Sequence, residues 1–397
     1  MSALRVCAIA HDYYPFDALV RRTAESAAKA GYESHVICLM EPGQAKYEVC
    51  DGVHVHRVPM KRGYGRALPL TLLEWFTFTV RAGAKVTRLH FKQKFDVIHV
   101  HNMPDFLVFS TIVPKLFGAK IVLEVQDTSP ELMAAKAHGR LRAPVVRVAT
   151  WQEQISTAFA DHVITVGWPF EELLLERGVP ASKLTNIINS ADPSIFRPDQ
   201  RTDPFMGPVS EARPLILMYH GTVAERNGLD TAMRAFAKAR ATVPYLRFDI
   251  KGVGEGMPAL ERLAHELAVD DHVVFSDPCP SEELGAVVSH GDVGIIPYRS
   301  DGFMDLVLPT KAYEFAFMRR PMIASDTPAI RSMFRPESIV LCEPSNVDSF
   351  AEAIVDLYQH PEKRAELVAN AERDYTPFRW ELISERYQQL LTSLKTN

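Results

Sequence analysis

Asp96-Val-Ile-His-Val-His-Asn-Met-Pro-Asp-Phe-Leu-Val-Phe-Ser-Thr-Ile-Val-Pro-Lys-Leu-Phe-Gly-Ala-Lys-Ile-Val-Leu-Glu-Val125 decides the fold of this chain. Asp96–Val100 and Lys120–Val125 are short β-branched and apolar runs without sustained polar alternation, the pattern of strands buried on both faces. Between them, Asp105–Phe117 has the length and composition of a helix, and Gly118 supplies the left-handed residue that closes one. Strand, helix and strand in that succession make a βαβ unit with parallel strands.

Outward from this unit, Val6–Ala10, His35–Leu39 and Asp161–Val166 are further buried-strand runs, and Arg21–Ala30, closed by Gly31, is a further helix. The second half repeats the grammar. Strands at Leu215–Tyr219, Arg247–Lys251, His272–Phe275, Val293–Pro297 and Met322–Ala324 alternate with helices such as Leu229–Ala241 and Met257–Ala268. Repeated βα predicts an α/β protein with doubly wound parallel sheets, and 397 residues exceed what one core usually supports. Arg197–Pro208, rich in proline and polar residues and without an apolar period, reads as a linker. The expected division is therefore 1–202 and 203–376, two Rossmann-like domains. In 377–397 an amphipathic helix follows Pro377 and is expected to return to the first domain.

Composition, 47% hydrophobic and 23% charged, is that of an ordinary globular chain, and a net charge of -5 lacks the basic surplus of a nucleic-acid binder. Cys7, Cys38, Cys50, Cys279 and Cys342 are scattered without C-x-x-C spacing, which argues against a disulfide framework or zinc site and fits a reducing cytoplasm. The N-terminus runs into a strand pattern rather than a signal peptide. The most apolar stretches, such as Leu68–Val80, are interrupted by Pro69 and Glu74 and fall short of the roughly 20 residues of a membrane span.

In open α/β sheets, ligands bind beyond the carboxyl ends of the strands. His220-Gly-Thr-Val-Ala-Glu-Arg-Asn-Gly228 follows one strand; its amides, from Gly221 and Thr222 onward, suit a phosphate and Arg226 adds charge, although a tight turn with a solvated arginine reads the same way. Gly252-Val-Gly-Glu-Gly256 either lets a base or ribose pass close to the backbone at Gly252 and Gly254 or is a plain strand-to-helix turn. In Pro297–Met318, Pro309 fits a first helical turn, which sets Thr310 and Lys311 beside unpaired helix amides and Glu314 one turn further on. A cation and free amides hold a diphosphate, and a carboxylate one turn away accepts ribose hydroxyls. The isolated pattern also fits an exposed Lys–Glu pair on a surface helix.

His220-Gly-Thr with Glu225-Arg-Asn-Gly-Leu-Asp230, Gly252-Val-Gly-Glu-Gly256, Leu308-Pro-Thr-Lys-Ala-Tyr-Glu-Phe315 and Pro321-Met-Ile-Ala-Ser325, in this order and spacing, resemble the retaining glycosyltransferases of the GT-B fold called family four. Asn189-Ser-Ala-Asp192 and Phe196-Arg-Pro198 also resemble that family's segment before the linker, so the likeness spans nearly the whole chain. It implies two Rossmann-like domains with an interdomain cleft, a nucleotide-sugar donor in the second domain, an acceptor in the first, and no obligatory metal or other cofactor. By resemblance Arg226 and Lys311 bind the donor diphosphate, Glu314 the ribose, and Asp305–Thr310, including Leu308 and Pro309, the sugar and phosphate oxygens. Many relatives have two acids with seven residues between them; counting back from Glu314 reaches Leu306, so Asp305, one place earlier, is the candidate sugar acid. Asn227 stands where a lysine often precedes the helix glycine, which leaves Arg226 as the substitute.

In the first half, Phe16–Val20 replaces the relatives' glycine pair, and Arg22 at the following helix start is left to serve an acceptor or phosphate. Alternation points His99 and His101 the same way, with His99 the structural histidine and His101 the one at substrate. Gln126 stands where relatives often have histidine, so Asp127 and Glu131 are the acceptor candidates; Pro130 and Glu131 also fit as the charged start of a helix. Arg226, Lys311, Asp305 and His101 form the expected catalytic set.

Lys61–Lys94 carries eight Lys/Arg against one acid, Glu74, interleaved with Leu72, Leu73, Trp75, Phe76 and Phe78. It reads either as a solvated helix with one core face or as a basic, aromatic surface that rests on an anionic membrane and meets a lipid-linked acceptor. The rival functions are a nucleotide-sugar epimerase of the same fold and a non-catalytic two-domain sugar-binding protein. Ala10-His-Asp-Tyr-Tyr-Pro15 lacks the glycine fingerprint of an NAD-dependent oxidoreductase.

Overall fold

The computed structural model describes residues 3–63, 68–136 and 142–396. They form two compact units, Met1–Ile188 with Glu381–Asn397, and Asn189–Trp380.

In the first unit the strands are β1 (Arg5–Ile9), β2 (Glu33–Leu39), β3 (Tyr47–Cys50), β4 (Val53–Val58), β5 (Val97–His101), β6 (Lys120–Val125), β7 (His162–Thr165) and β8 (Leu184–Asn186), in the sheet order β3-β4-β2-β1-β5-β6-β7-β8. All pairings are parallel except β3 with β4. The apolar runs explain the burial: Cys7 and Ile9 enter one core with Phe78, Ala82 and Val86, while Ala8 and Ala10 enter the other with Val20 and Ala24. The helices are α1 (Ala18–Lys29), α2 (Leu68–Gln93), α3 (Ile112–Leu116), α4 (Ser129–Lys136), α5 (Arg142–Phe159) and α6 (Trp168–Glu176). All five cysteines are free.

The helix expected over Asp105–Phe117 is a 3-10 turn over Asp105–Thr111 followed by the short α3. Two polar side chains account for this. Asp105 is buried and accepts from Asn102, Ser129 and Gln152 rather than capping a helix, and Thr111 Oγ1 donates to Val108 O at 2.6 Å, reinforcing the tighter turn.

The second unit orders its strands β11-β10-β9-β12-β13-β14, all parallel, with β9 (Leu215–His220), β10 (Leu246–Lys251), β11 (Val273–Ser276), β12 (Val293–Ile296), β13 (Met322–Ser325) and β14 (Val340–Cys342). Its helices are α7 (Leu229–Ala239), α8 (Met257–Glu266), α9 (Ser281–His290), α10 (Thr310–Phe317), α11 (Pro328–Met333), α12 (Val347–Gln359) and α13 (Pro361–Tyr375). Numbered within the unit, the order is 3-2-1-4-5-6, that of a dinucleotide-binding Rossmann sheet, and it reverses between β9 and β12. The first unit has the same reversal between β1 and β5.

The units exchange at Ile188/Asn189, upstream of the expected 203, because hydrogen bonds tie the intervening segment to the second unit. Ser190 Oγ lies 2.7 Å from Tyr375 Oη, Arg201 pairs with Glu372 and Arg320 donates to Thr202. At the other end α14 (Trp380–Thr396) belongs to the first unit from Glu381 on: Tyr387 Oη lies 2.9 Å from His99 Nδ1 and Ser384 Oγ 2.7 Å from Ser26 Oγ. No helix among the described residues is long and apolar enough to cross a membrane.

Candidate functional site

The reversal between β9 and β12 gathers most of the second unit's predicted residues. At the end of β9, Gly221 turns with φ +115 and its Cα face packs on Lys311: a side-chain carbon there would lie 3.6 Å from Lys311 Nζ. Gly252, after β10, runs so close to this loop that a Cβ would sit 1.9 Å from Gly221 O, and a Cβ on Gly254 would meet Val223 O. The two glycine segments quoted from the sequence are thus one packed backbone platform. Gly228, with φ +64, fastens it to the strand-end Pro297.

Lys311, in the first turn of α10, is buried, and its ammonium donates to Tyr298 Oη at 2.9 Å and to Tyr219 Oη at 3.4 Å. It lies 4.5 Å and 4.8 Å from the ring centroids of Tyr219 and Tyr298. Burial works against the charge, but the two phenol oxygens more than restore it, and the Lys311 pKa stands above its ordinary value. Among the described residues no carboxylate pairs with this ammonium. Pro309 is the residue preceding the helix, one place ahead of the position expected for it, and Thr310, exposed, is the first residue within it.

Beside Lys311, His220 Nε2 lies 3.3 Å from Glu314 Oε2. Burial, and then the Lys311 charge, push the His220 pKa down to about 3, so the imidazole is neutral. Arg226 is exposed, with no ion pair found for its guanidinium among the described residues. Its loop is clamped by Arg299, whose N–H donates to Arg226 O at 3.0 Å, its Nε to Glu225 O at 2.9 Å and its Nη2 to Asp230 at 2.8 Å. Asp305 accepts from Ser300 Oγ at 2.8 Å in the loop before α10, and Leu308 is buried. A cavity of about 440 Å³ also borders this loop, but Glu225, Asp230 and Glu255 in its lining make it a poor phosphate site.

Sequence reasoning missed Tyr219, Tyr298, Arg299 and, as a site residue, His220. Each stands in the last two positions of a strand or within the first few beyond one, which was the available signal.

In the first unit His101 ends β5 and is buried. Its Nδ1 lies 3.1 Å from Glu124 Oε2 and 3.1 Å from Gln126 Nε2, while its buried Nε2 has no hydrogen-bond partner among the described residues. His99, by contrast, is spent on structure, between Tyr387 and Glu124 Oε2 at 2.8 Å. Burial lowers the His99 pKa to about 4; it opposes ionisation of Glu124 too, yet the two histidines hold that carboxyl well below the usual range. Among the described residues, His99, His101 and Glu124 are the grouping whose ligand atoms lie close enough to hold a metal ion, but those atoms already face one another at hydrogen-bond distance.

Asp127 follows β6, with its backbone carbonyl accepting from Asn102 Nδ2 at 2.7 Å. Glu131, in the first turn of α4, pairs with Arg177, which also bonds Glu153 at 2.8 Å. Arg22 is buried within α1, its Nε donating to Ala18 O at 3.2 Å; the helix begins earlier than the sequence suggested, capped by Asp17. Arg66, in the basic stretch, lies outside the described residues. Residues 64, 65 and 67 lie outside them too, and Leu68–Gln93 forms α2, which buries Glu74, Phe78, Ala82, Val86 and His90 along one face.

A glycosyl transferase 4-like family model matches residues 18–189, and the model of glycosyl transferases group 1 matches 214–360. A D-inositol 3-phosphate glycosyltransferase of Thermomonospora curvata is 25% identical over 320 residues, 76% of this chain and 72% of that one. Sucrose-phosphate synthase of Thermosynechococcus elongatus superposes with a TM-score of 0.76 at 19% identity, over 98% of this chain and 99% of that chain. Anabaena HepE in complex with UDP-glucose gives 0.72 at 14% identity, over 98% of this chain and 100% of that chain. Both are likenesses of fold, and the fold is that of the GT-B glycosyltransferases. With a family model on each half and its two Rossmann-like sheets, the chain belongs to the glycosyltransferases of the family-four, group 1 kind.

Proposed function

We propose that the chain moves a sugar from a nucleotide-sugar donor to an acceptor hydroxyl, with retention of anomeric configuration and no obligatory metal. The observation that carries this reading is Lys311: a buried ammonium without a carboxylate partner among the described residues, set at a helix start and at the point where the sheet order reverses. Such a charge awaits an anion. Lys311 and Arg226 take the diphosphate, with the Gly221–Thr222 and Gly252–Gly254 backbones and Thr310 closing on it; Glu314 accepts the ribose hydroxyls, and Asp305 with Leu308 and Pro309 borders the sugar. Arg22, His101, Asp127 and Glu131 serve the acceptor side.

In this mechanism the bond from C1 to the diphosphate oxygen breaks and its electron pair leaves with the phosphate. The acceptor oxygen bonds C1 from the same face and passes its proton to the departing phosphate oxygen. The protein contributes position and positive charge, the latter in the place a metal would otherwise fill. We place the chain in the cytoplasm, with 61–94 resting peripherally on the inner face of an anionic membrane; the exposed Leu70, Leu73 and Phe76 of α2 support this. An epimerase or a sugar-binding protein is not what the matched families describe.

The test uses protein kept in EDTA with UDP-, GDP- and TDP-sugars, the UDP-glucose bound by the Anabaena neighbour among them, and D-inositol 3-phosphate among the acceptors. Product of the donor's own anomeric configuration by proton NMR, lost in Glu314→Ala, is expected. An inverted product, or activity returning only with a divalent cation, would refute the mechanism.

A further inference from the structure

Four side chains of the first unit, Tyr387, His99, Glu124 and His101, stand in one chain of hydrogen-bond distances, and their hydrogens can be placed in order from the far end. Tyr387 comes from α14, outside both matched family segments, and is buried. Among the described residues its hydroxyl has one hydrogen-bond partner, His99 Nδ1 at 2.9 Å. A buried phenol O–H without an acceptor is costly, so the phenol donates. His99, kept neutral by burial, then has a bare Nδ1 and carries its hydrogen on Nε2. That nitrogen stands 2.8 Å from Glu124 Oε2. The two histidines hold the Glu124 carboxyl ionised, and an ionised carboxylate only accepts, which agrees with the placement.

The same oxygen orders the second histidine. His101 Nδ1 lies 3.1 Å from Glu124 Oε2 and 3.1 Å from Gln126 Nε2. A bare Nδ1 would set its lone pair against the carboxylate, whereas a protonated one donates to it. The Gln126 amide has an acceptor of its own, Glu124 Oε1 at 3.3 Å. His101 therefore carries its hydrogen on Nδ1. A second hydrogen on Nε2 would be a buried donor with nothing to receive it, since that nitrogen has no hydrogen-bond partner among the described residues. Nε2 is thus a buried lone pair, in the last residue of β5, beside the reversal between β1 and β5.

We propose that Glu124 is a positioning residue of the transfer: anchored through His99 to Tyr387, it holds His101 with Nε2 bare, and that nitrogen accepts a hydrogen bond from a hydroxyl of the acceptor. This hydroxyl is not the one that attacks C1, whose proton leaves with the phosphate. The proposal rests on the transferase reading and gives its acceptor a chemical class, a sugar or polyol with a second O–H near the reacting one. The matching deoxy compound leaves the lone pair unpaired and is a poor acceptor.

The first arm of the test is nitrogen-15 NMR of the full-length protein labelled at its 14 histidines, near neutral pH, with the His101 signals identified by their loss in His101→Gln. A hydrogen on Nδ1 and a bare Nε2 are expected in the wild type. In Glu124→Gln, whose amide N–H can face Nδ1, the hydrogen should move to Nε2. A wild-type His101 protonated at Nε2 would overturn the proposal, as would a metal ion that co-purifies with the wild type and is lost in His101→Gln. The second arm measures initial rates with the donor and acceptor pair that supports transfer in the panel above. Glu124→Gln should raise the acceptor KM about three- to tenfold, the worth of one hydrogen bond, with donor Kd unchanged. His101→Gln offers an acceptor oxygen that does not depend on Glu124, so Glu124→Gln added to it should raise the acceptor KM no further. An equal rise in both backgrounds would make Glu124 merely structural and overturn the proposal. Transfer with no pair at all would sink the transferase reading, and the hydroxyl contact with it, while the tautomer found by NMR would stand.

Discussion

Replacing Lys311 with methionine separates a ligand-binding cation from a structural one. Methionine keeps the unbranched stem and much of the volume and removes only the charge. In the unliganded protein, that takes away an ammonium that is 6% exposed and has two phenol partners but no carboxylate. Tyr219 Oη keeps its own acceptor, Thr222 O at 2.6 Å, and the methionine side chain fills the stem's volume with an apolar group that burial favours. The melting temperature should therefore hold or rise. Donor binding should fall by the worth of one hydrogen bond to a charged group, about 1.5–3 kcal/mol, or roughly ten- to 150-fold in Kd. Titration calorimetry with whichever nucleotide-sugar binds the wild type, beside a thermal melt without ligand, reads both quantities. The reasoning fails if the variant melts more than about 4 °C lower, equivalent to about 1 kcal/mol or more for a unit of this size, while its donor affinity is intact; Lys311 would then be holding Tyr219 and Tyr298 in place for the fold's sake.

Tyr298→Phe keeps the ring face under the Lys311 ammonium and removes the oxygen 2.9 Å away, one hydrogen bond to a charged group; kcat/KM for the donor should drop roughly tenfold or more, and the unliganded melt should fall because the buried ammonium loses an acceptor. Burial, offset in part by Arg177, holds the Glu153 carboxyl at about 7 in the folded chain against an ordinary 4.5. Folding thus favours its protonated form, and the stabilisation is complete below about 4.5 and lost as the pH rises through 7. Glu153→Gln should match the wild type in urea unfolding near pH 4 and exceed it by up to about 3 kcal/mol at pH 8; a difference that is the same at both pH values rules the explanation out. Gly228→Ala must hold a left-handed φ of +64 and place a carbon 1.9 Å from Pro297 O, a cost of about 2–5 kcal/mol to be seen as a lowered melt and, because the Arg226 loop is displaced, a weaker donor shift.

The strands were legible because a doubly wound sheet buries both faces: Lys120–Val125 was read to the residue, and β9, β10 and β12 to within one. Side-chain periodicity carries no information about which carboxylate folds inward, and so Asp105, satisfied by Asn102, Ser129 and Gln152, turned an expected helix into a 3-10 turn. The β3–β4 hairpin was overlooked although its signal was present, since Asp51-Gly52 joins Cys50 to Val53 with positive φ at both turn residues. At the site, Lys311, Glu314 and the glycine segments were legible because their spacing on a helix start and on strand ends is local. The tyrosines that hold Lys311 were not: Tyr219 lies in β9 and Tyr298 just beyond the adjacent β12, far apart in sequence, and their convergence depends on the strand order. Glu131 illustrates the reverse, a helix-start acid whose partner, Arg177, comes from beyond α6.

The choice of tyrosines rather than a carboxylate beside Lys311 has a physical consequence for the whole donor side. A carboxylate at that distance would pair with the ammonium and cancel most of its field before any ligand arrived, and a diphosphate would have to displace it. Phenol oxygens accept hydrogen bonds without bringing charge, and the ring faces 4.5 Å and 4.8 Å away add the attraction of their quadrupoles. The cation is therefore held in place yet left uncancelled. The same charge acts on His220: with burial it keeps the imidazole neutral, its pKa about 3, so that a group 3.3 Å from the Glu314 carboxylate does not neutralise it. One helical turn of α10 thus presents an uncancelled cation beside the Glu314 carboxylate. That is the requirement for gripping a diphosphate at one end and ribose hydroxyls at the other.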